Sequence, residues 1–291
     1  MAELLTEPLG YGFFSRALLA VVVIGAMCGA MSTFIVLRRM SYVGHGLAHS
    51  VLGGVAVAVA LGYSTYVGAL AATLLSAVLI DRVSRRRGLH ADAAIGIVTT
   101  AFFALGIAVV SVLEAGRVNT ESLLFGSPLA VTSTDLWLAV GVAAGLALVL
   151  LTAYKPLLFT TFDPEVARVH GVRAGAMEAL LNLLTAAVVI ASVRVMGVLL
   201  VAAAVVIPAA LARLLTRSFA TMLGVAVAVG VANGLGGLYL SYYADVPSGA
   251  TIVLVGTALF ALAYLATHLD RQRRLRRARA TAPAAAAPTA T

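Results

Sequence analysis

Charge is what this chain is short of: only 11% of its 291 residues are Asp, Glu, Lys or Arg, against about 25% in soluble domains. With 62% of the residues apolar, no water-soluble fold can hide this much hydrocarbon, and an integral membrane protein follows. Cysteine is limited to Cys28, which excludes a disulfide framework or a cysteine-based metal centre within one chain and leaves Cys28 as a small core residue. No glycine-rich loop ending in Gly-Lys-Ser or Gly-Lys-Thr occurs, so the chain lacks a nucleotide-binding signature. Carboxylates lie mostly at the ends of apolar stretches. That weighs against a proton-coupled carrier working alone and points to energy supplied by a partner.

What the chain does have is long apolar runs. At about 20 apolar residues per crossing, nine segments emerge: Phe13 to Leu37, Val43 to Gly62, Tyr66 to Ile80, Ala93 to Leu113, Leu136 to Ala153, Met177 to Val193, Met196 to Leu214, Ala220 to Leu240 and Ala250 to His268. The first is far longer than a signal-peptide core and is read as a retained span. A barrel would show alternating segments of about ten residues, so the expected fold is an all-α, polytopic membrane protein with about nine transmembrane segments.

The net charge of +8 tests this division. With the N-terminus extracytoplasmic, alternation delivers Arg38, Arg39, Arg82, Arg85, Arg86, Arg87, Lys155, Arg168, Arg173, Arg213, Arg217 and the six arginines from Arg271 to Arg279 to the cytoplasmic side. Only Arg16, Arg117 and Arg194 remain outside or near the outer end, as the positive-inside rule requires. A break at Arg194 between segments six and seven preserves this partition. The chain then divides into an extracytoplasmic segment 1–12, a transmembrane domain 13–269, and a cytoplasmic tail 270–291, basic at first and then Ala/Pro/Thr-rich and disordered.

Two connections are long enough to carry a role. Glu114 to Asp135 contains Asn119, Ser122, Gly126, Ser127 and Pro128; Pro156 to Gly175 contains Thr161-Phe162-Asp163-Pro164-Glu165, then Arg168, His170 and Gly171. Asp163 before Pro164, with Glu165 in the first turn, is a helix-start signal and predicts a short cytoplasmic helix over about 161–172.

Ionisable groups inside spans are expensive and so mark function. His45 and His49, four residues apart, share one helical face one turn apart, flanked by Gly44, Gly46, Ala48, Gly53 and Gly54, which let another helix or an ion come close. They are the candidate metal ligands, the alternative being that they hydrogen-bond neighbouring helices or sit at the membrane interface. Two imidazoles make half of a tetrahedral zinc shell, and a second copy of the chain would supply the rest. Other groups read more plainly: His90 with Asp92 as solvated beside Arg85 to Arg87, His170 as a surface or partner contact, and His268 as interfacial. Pro208 kinks or ends segment seven, and Ser248 or Asp245 caps segment nine.

Several stretches together resemble one family, the membrane permease subunit of ATP-binding-cassette importers for zinc, manganese and related divalent metals. They are Leu37-Arg38-Arg39-Met40-Ser41 leading to Gly44 and His49; Ala94-Ile95-Gly96-Ile97-Val98 with Ala101-Phe102-Phe103-Ala104-Leu105-Gly106; Leu124-Phe125-Gly126-Ser127; Phe162-Asp163-Pro164-Glu165-Val166-Ala167-Arg168; the run Leu199 to Ala212; and Asp245-Val246-Pro247-Ser248-Gly249-Ala250-Thr251. They occur in order over roughly Arg16 to Leu265.

The resemblance implies a multi-pass plasma-membrane protein that acts as a homodimer. Its partners would be a cytoplasmic ATP-binding subunit, an extracytoplasmic metal-binding protein and membrane lipid, with no nucleic acid. No cofactor is bound permanently, and the transported ion is zinc or manganese. It also makes the Phe162 to Gly171 segment the coupling element, with Phe162, Asp163, Glu165, Arg168 and Gly171 meeting the ATPase. Family members commonly carry an aspartate where this chain has His45. Two imidazoles shift preference from manganese towards zinc, copper or nickel, so zinc is favoured. The competing readings are an iron-chelate or corrin permease, a stand-alone secondary metal carrier, and a structural membrane protein.

Overall fold

In hydrocarbon no water is available to backbone N–H and C=O groups, so each apolar run must close its own hydrogen bonds as a helix. The computed structural model describes residues 6–84, 91–112 and 124–281, and among these every regular element is helical. The helices are α1 Gly12–Leu37, α2 Ser41–Ala60, α3 Thr65–Ser84, α4 Ala91–Val112, α5 Ser133–Thr152, α6 Tyr154–Phe162, α7 Pro164–Val169, α8 Ala174–Met196, α9 Val201–Ala204, α10 Ile207–Leu215, α11 Phe219–Ala244 and α12 Ser248–Thr281. Six of them, α1, α4, α5, α8, α11 and α12, are long and apolar enough to cross a membrane. Three shorter apolar stretches, Gly46–Ala60, Thr65–Ile80 and Val201–Leu215, occupy the remaining expected segments.

The most apolar stretch of α1 is 72% buried and that of α8 61%, against 17% for α5, so α1 and α8 form the axis of the bundle. Small residues set how close the helices come. Gly25 and Gly29 of α1 lie on the backbone of Gly230 and Ala226 of α11, where a Cβ would strike a carbonyl. A second seam wedges α2 between α3, through Gly54 on Gly68, and α4, through Gly53 on Phe102 and Gly106. Cys28 is buried on α1 with its Sγ 3.4 Å from Ser192 Oγ, in the core role expected of it.

Four expectations are corrected or refined in detail. The break after the sixth segment falls at Gly197 (φ 76°), not at Arg194, which lies in the last turn of α8. The seventh segment is discontinuous: α9 ends at Ala204, and Pro208 sits in the first turn of α10, where its missing N–H removes no helical bond. The segment is thus broken where a kink was expected, with Pro208 opening its second half. Asp245 (φ 52°) closes the C-terminus of α11, and Ser248 is already helical, bonding through its hydroxyl to Ser241, so neither caps the N-terminus of α12. The basic stretch 270–281 continues α12, with Arg274 donating to Asp270 at 2.8 Å. The readings on His90, Arg85 to Arg87, Glu114, Arg117, Asn119, Ser122 and residues 282–291 lie outside the described residues.

Candidate metal path and coupling elements

His45 and His49 both lie on α2, about 6 Å apart along its axis. The His45 side chain is outside the described residues. His49 is half-buried, and its ring meets Phe103 of α4 edge-on at a centroid distance of 5.0 Å. One turn earlier, a Cβ on Gly46 would press into the Ile95 and Thr99 side chains of α4, so the face of α2 that carries His49 is the one laid on α4. Among the described residues no three His, Cys, Asp or Glu side chains gather to hold a metal ion.

The segment expected to form a single helix over 161–172 is a bent pair of helices. Phe162 ends α6, and the extended backbone of Asp163 turns the chain. The Asp163 carboxylate accepts from the Glu165 and Val166 N–H groups at 3.0 and 2.9 Å, opening α7 as the Asp-Pro-Glu signal requires. Glu165 lies in the first turn of α7 and Arg168 in the last, both exposed; Gly171 follows at φ 78°. His170 stacks on Phe159 at 6.5 Å. Phe159, Phe162, Val166 and Val169 are all exposed, Val169 to 85%, so the pair offers an apolar surface rimmed by charge.

Two further residues at this end carry weight that their local sequence does not signal. Phe219, at the start of α11, gathers Phe34, Tyr154 and Phe162 around its ring at 5.2, 5.8 and 6.4 Å. Arg38, just past the end of α1, donates through Nη2 to Thr160 Oγ1 at 2.7 Å and through Nε to Thr161 Oγ1 at 3.0 Å. Burial pulls its guanidinium below the ordinary value, and the Glu178 carboxylate opposes that shift.

The far end of α8, about 33 Å away along a 23-residue helix, is built differently. Asp135 is buried at the start of α5 and accepts from Tyr66 of α3, from the Thr132 N–H at 2.9 Å and from the Thr132 hydroxyl at 2.6 Å. Arg194 Nε lies 3.6 Å from the same carboxylate, and the guanidinium sits 5.8 Å over the Tyr66 ring. Arg194 therefore pairs. Beside it, Ser127 N–H donates to the Arg194 carbonyl at 3.1 Å and Leu199 N–H to the Leu124 carbonyl at 3.2 Å. Gly126 and Gly197, both at φ 76°, meet backbone to backbone, which explains the glycine in Leu124-Phe125-Gly126-Ser127. Sequence reasoning missed Asp135, although Thr132 with an acid three residues on is a capping-box signature.

A buried helical axis, a histidine pair on a small-residue helix and a bent, apolar-faced helix pair make up a multi-helix membrane protein. The chain belongs to the ABC 3 transport family, which matches over residues 10–267. It is thus a multi-span helical permease of the plasma membrane. It is 39% identical over 258 residues to the manganese transport system membrane protein MntC of Halalkalibacterium halodurans, covering 89% of this chain and 88% of that one. It is 34% identical to the chelated iron transport system membrane protein YfeC of Yersinia pestis over 264 residues, covering 91% and 90%. In structure it resembles PsaBC from Streptococcus pneumoniae, solved in complex with Fab, with a TM-score of 0.84 and 32% identity over 90% of this chain and 95% of that one.

Proposed function

We propose that this chain carries a divalent transition metal inward across the plasma membrane, zinc first and manganese second. ATP hydrolysis in a cytoplasmic subunit docked on Phe162, Asp163, Glu165, Arg168 and Gly171 drives the step. An extracytoplasmic binding protein delivers the ion to a homodimer, and each copy contributes His45 and His49, which completes a four-ligand shell. The N-terminus lies outside, the C-terminus inside, and the three shorter apolar stretches cross as well, giving nine segments. That orientation puts the exposed apolar helix pair on the arginine-rich side.

The observation that carries this reading is the pairing of His45 with His49 on one face of α2, in a permease family whose named relatives handle transition metals. Zinc is favoured because two imidazoles suit it better than manganese, which prefers oxygen donors. Manganese is the second reading, supported by MntC. In proteoliposomes holding the permease with its ATPase and binding protein, wild type is expected to take up zinc in preference to manganese, and His45→Asp to shift towards manganese. His49→Ala serves as the control that assembles but takes up neither ion. Equal selectivity in wild type and His45→Asp would sink the preference for zinc.

A further inference from the structure

Thr160 is buried, and its hydroxyl donates back to the Pro156 and Leu157 carbonyls at 2.9 and 3.1 Å. The Thr161 hydroxyl donates to Leu157 at 2.6 Å. With both protons spent inside α6, each oxygen turns its lone pairs outward, where only a donor fits. Arg38 supplies two N–H groups from one planar fork, one to each oxygen. Residues more than 120 positions apart are thus joined at the coupling pair.

The segment on the other side of Arg38 is stiff. Arg38, Arg39 and Met40 N–H groups donate back to Phe34, Val36 and Ile35 at 3.0, 3.2 and 2.9 Å, and α2 starts at Ser41. Arg39 is held at φ 57°, a left-handed conformation that is unfavourable for a non-glycine residue. Strain of this kind persists only where the surroundings over-determine it. A displacement of Arg38 therefore reaches the first turn of α2, and His45 just after it, through a tight turn with no slack. His49 follows one turn on.

We infer that Arg38 is a positioning residue that ties the α6–α7 pair to the histidine helix, so that movement imposed on the pair tilts α2 and its metal ligands. This role rests on the importer reading above. It assigns Arg38 no contact with the metal or with the ATPase. The coupling pair otherwise runs on through residues 170–173 into α8, on the bundle axis. The Arg38 bonds give it a second, direct connection to α2.

The test measures metal transported per ATP hydrolysed in the reconstituted complex, alongside co-purification of the ATPase and the hydrolysis rate. Arg38→Ala is expected to retain the ATPase and to hydrolyse ATP while metal moved per ATP falls about tenfold. Arg38→Lys, which keeps a charged donor but not the fork, should recover part of it. Thr160→Val, losing one acceptor, should lower the ratio about threefold. A merely structural role would change yield and leave the ratio intact, so an assembled Arg38→Ala complex with the wild-type ratio overturns the role. If Arg38→Ala does not assemble, wild-type ratios in both Arg38→Lys and Thr160→Val overturn it equally. Wild type showing no ATP-dependent uptake would overturn the importer reading and the role together, whereas coupled wild type with unaffected variants overturns Arg38 alone.

Discussion

The two ends of α8 hold their neighbours by different chemistry. Near Arg194 the contacts are ionic and backbone-to-backbone: a buried carboxylate with a guanidinium, a phenol and a capping threonine around it, beside two glycines pressed together. Near α6 and α7 the internal contacts are one arginine on two hydroxyls and a cluster of aromatic rings, and large apolar side chains remain exposed. The polar groups of the first end are satisfied within one chain, although Val67 and Trp137 beside them are exposed. At the second, exposed apolar side chains are rimmed by the exposed Glu165 and Arg168, the anatomy of a face that meets a protein partner. Stability should therefore be concentrated at the Arg194 end and interaction at the other, and single substitutions can separate the two.

The largest effect on the isolated chain is expected at Gly197. Its φ of 76° and ψ of 157° fall in a region essentially reserved for glycine, and an added Cβ would strike the Leu124 carbonyl and the Gly126 N–H. Gly197→Ala must move the Leu124 to Ser127 segment or the α8 terminus, at a cost of about 3 kcal/mol or more. Thermal unfolding in detergent micelles should show the largest fall in Tm of any substitution considered, together with reduced yield. An unchanged Tm would mean that this end is not the stable one.

How much of this was legible in the sequence follows from how far apart the determinants lie. The Phe13 to Leu37 segment matches α1 within a residue, and Asp163-Pro164-Glu165 opens α7 as read, because caps and apolar runs are local signals. The histidine pair was legible as a spacing, since four residues make one helical turn. The break after α8 was misplaced because topology is written in charge, and so pointed to Arg194, while the helix is ended by the φ that Gly197 allows. The helical run to Thr281 went unread for a similar reason: the stretch is too polar to span, yet alanine and arginine are strong helix formers. The Asp135–Arg194 pair and the Arg38–Thr160 bond join residues far apart in the chain, and no window of sequence contains either.

Next in size is Asp135, where the two partners of one ion pair should respond unequally. Asp135 is 6% exposed and Arg194 48%. Asp135→Ala removes the acceptor shared by Tyr66 and Thr132 and strands a half-buried phenol, for a loss of about 2 kcal/mol. Arg194→Gln leaves those bonds in place and gives up only a half-exposed pair, worth less than about 1 kcal/mol. Micelle unfolding of both single variants and the double variant gives the coupling directly. Equal losses would show that the ion pair, not the hydrogen-bonded carboxylate, holds this end together.

The smallest effect on stability, and the sharpest on interaction, is expected from Val169→Glu. Val169 is 85% exposed at the end of α7, so the substitution buries no charge and leaves no cavity, and the isolated permease should unfold within about 0.5 kcal/mol of wild type. On the proposed docking face the same change sets an anion where an apolar contact with the ATPase would form, beside the exposed Glu165 carboxylate. Co-purification of the ATPase from membranes should then fall sharply at unchanged permease yield. A variant that loses stability but keeps its partner would reverse the assignment: the α6–α7 end would be part of the fold's foundation, and docking would have to be sought on another face.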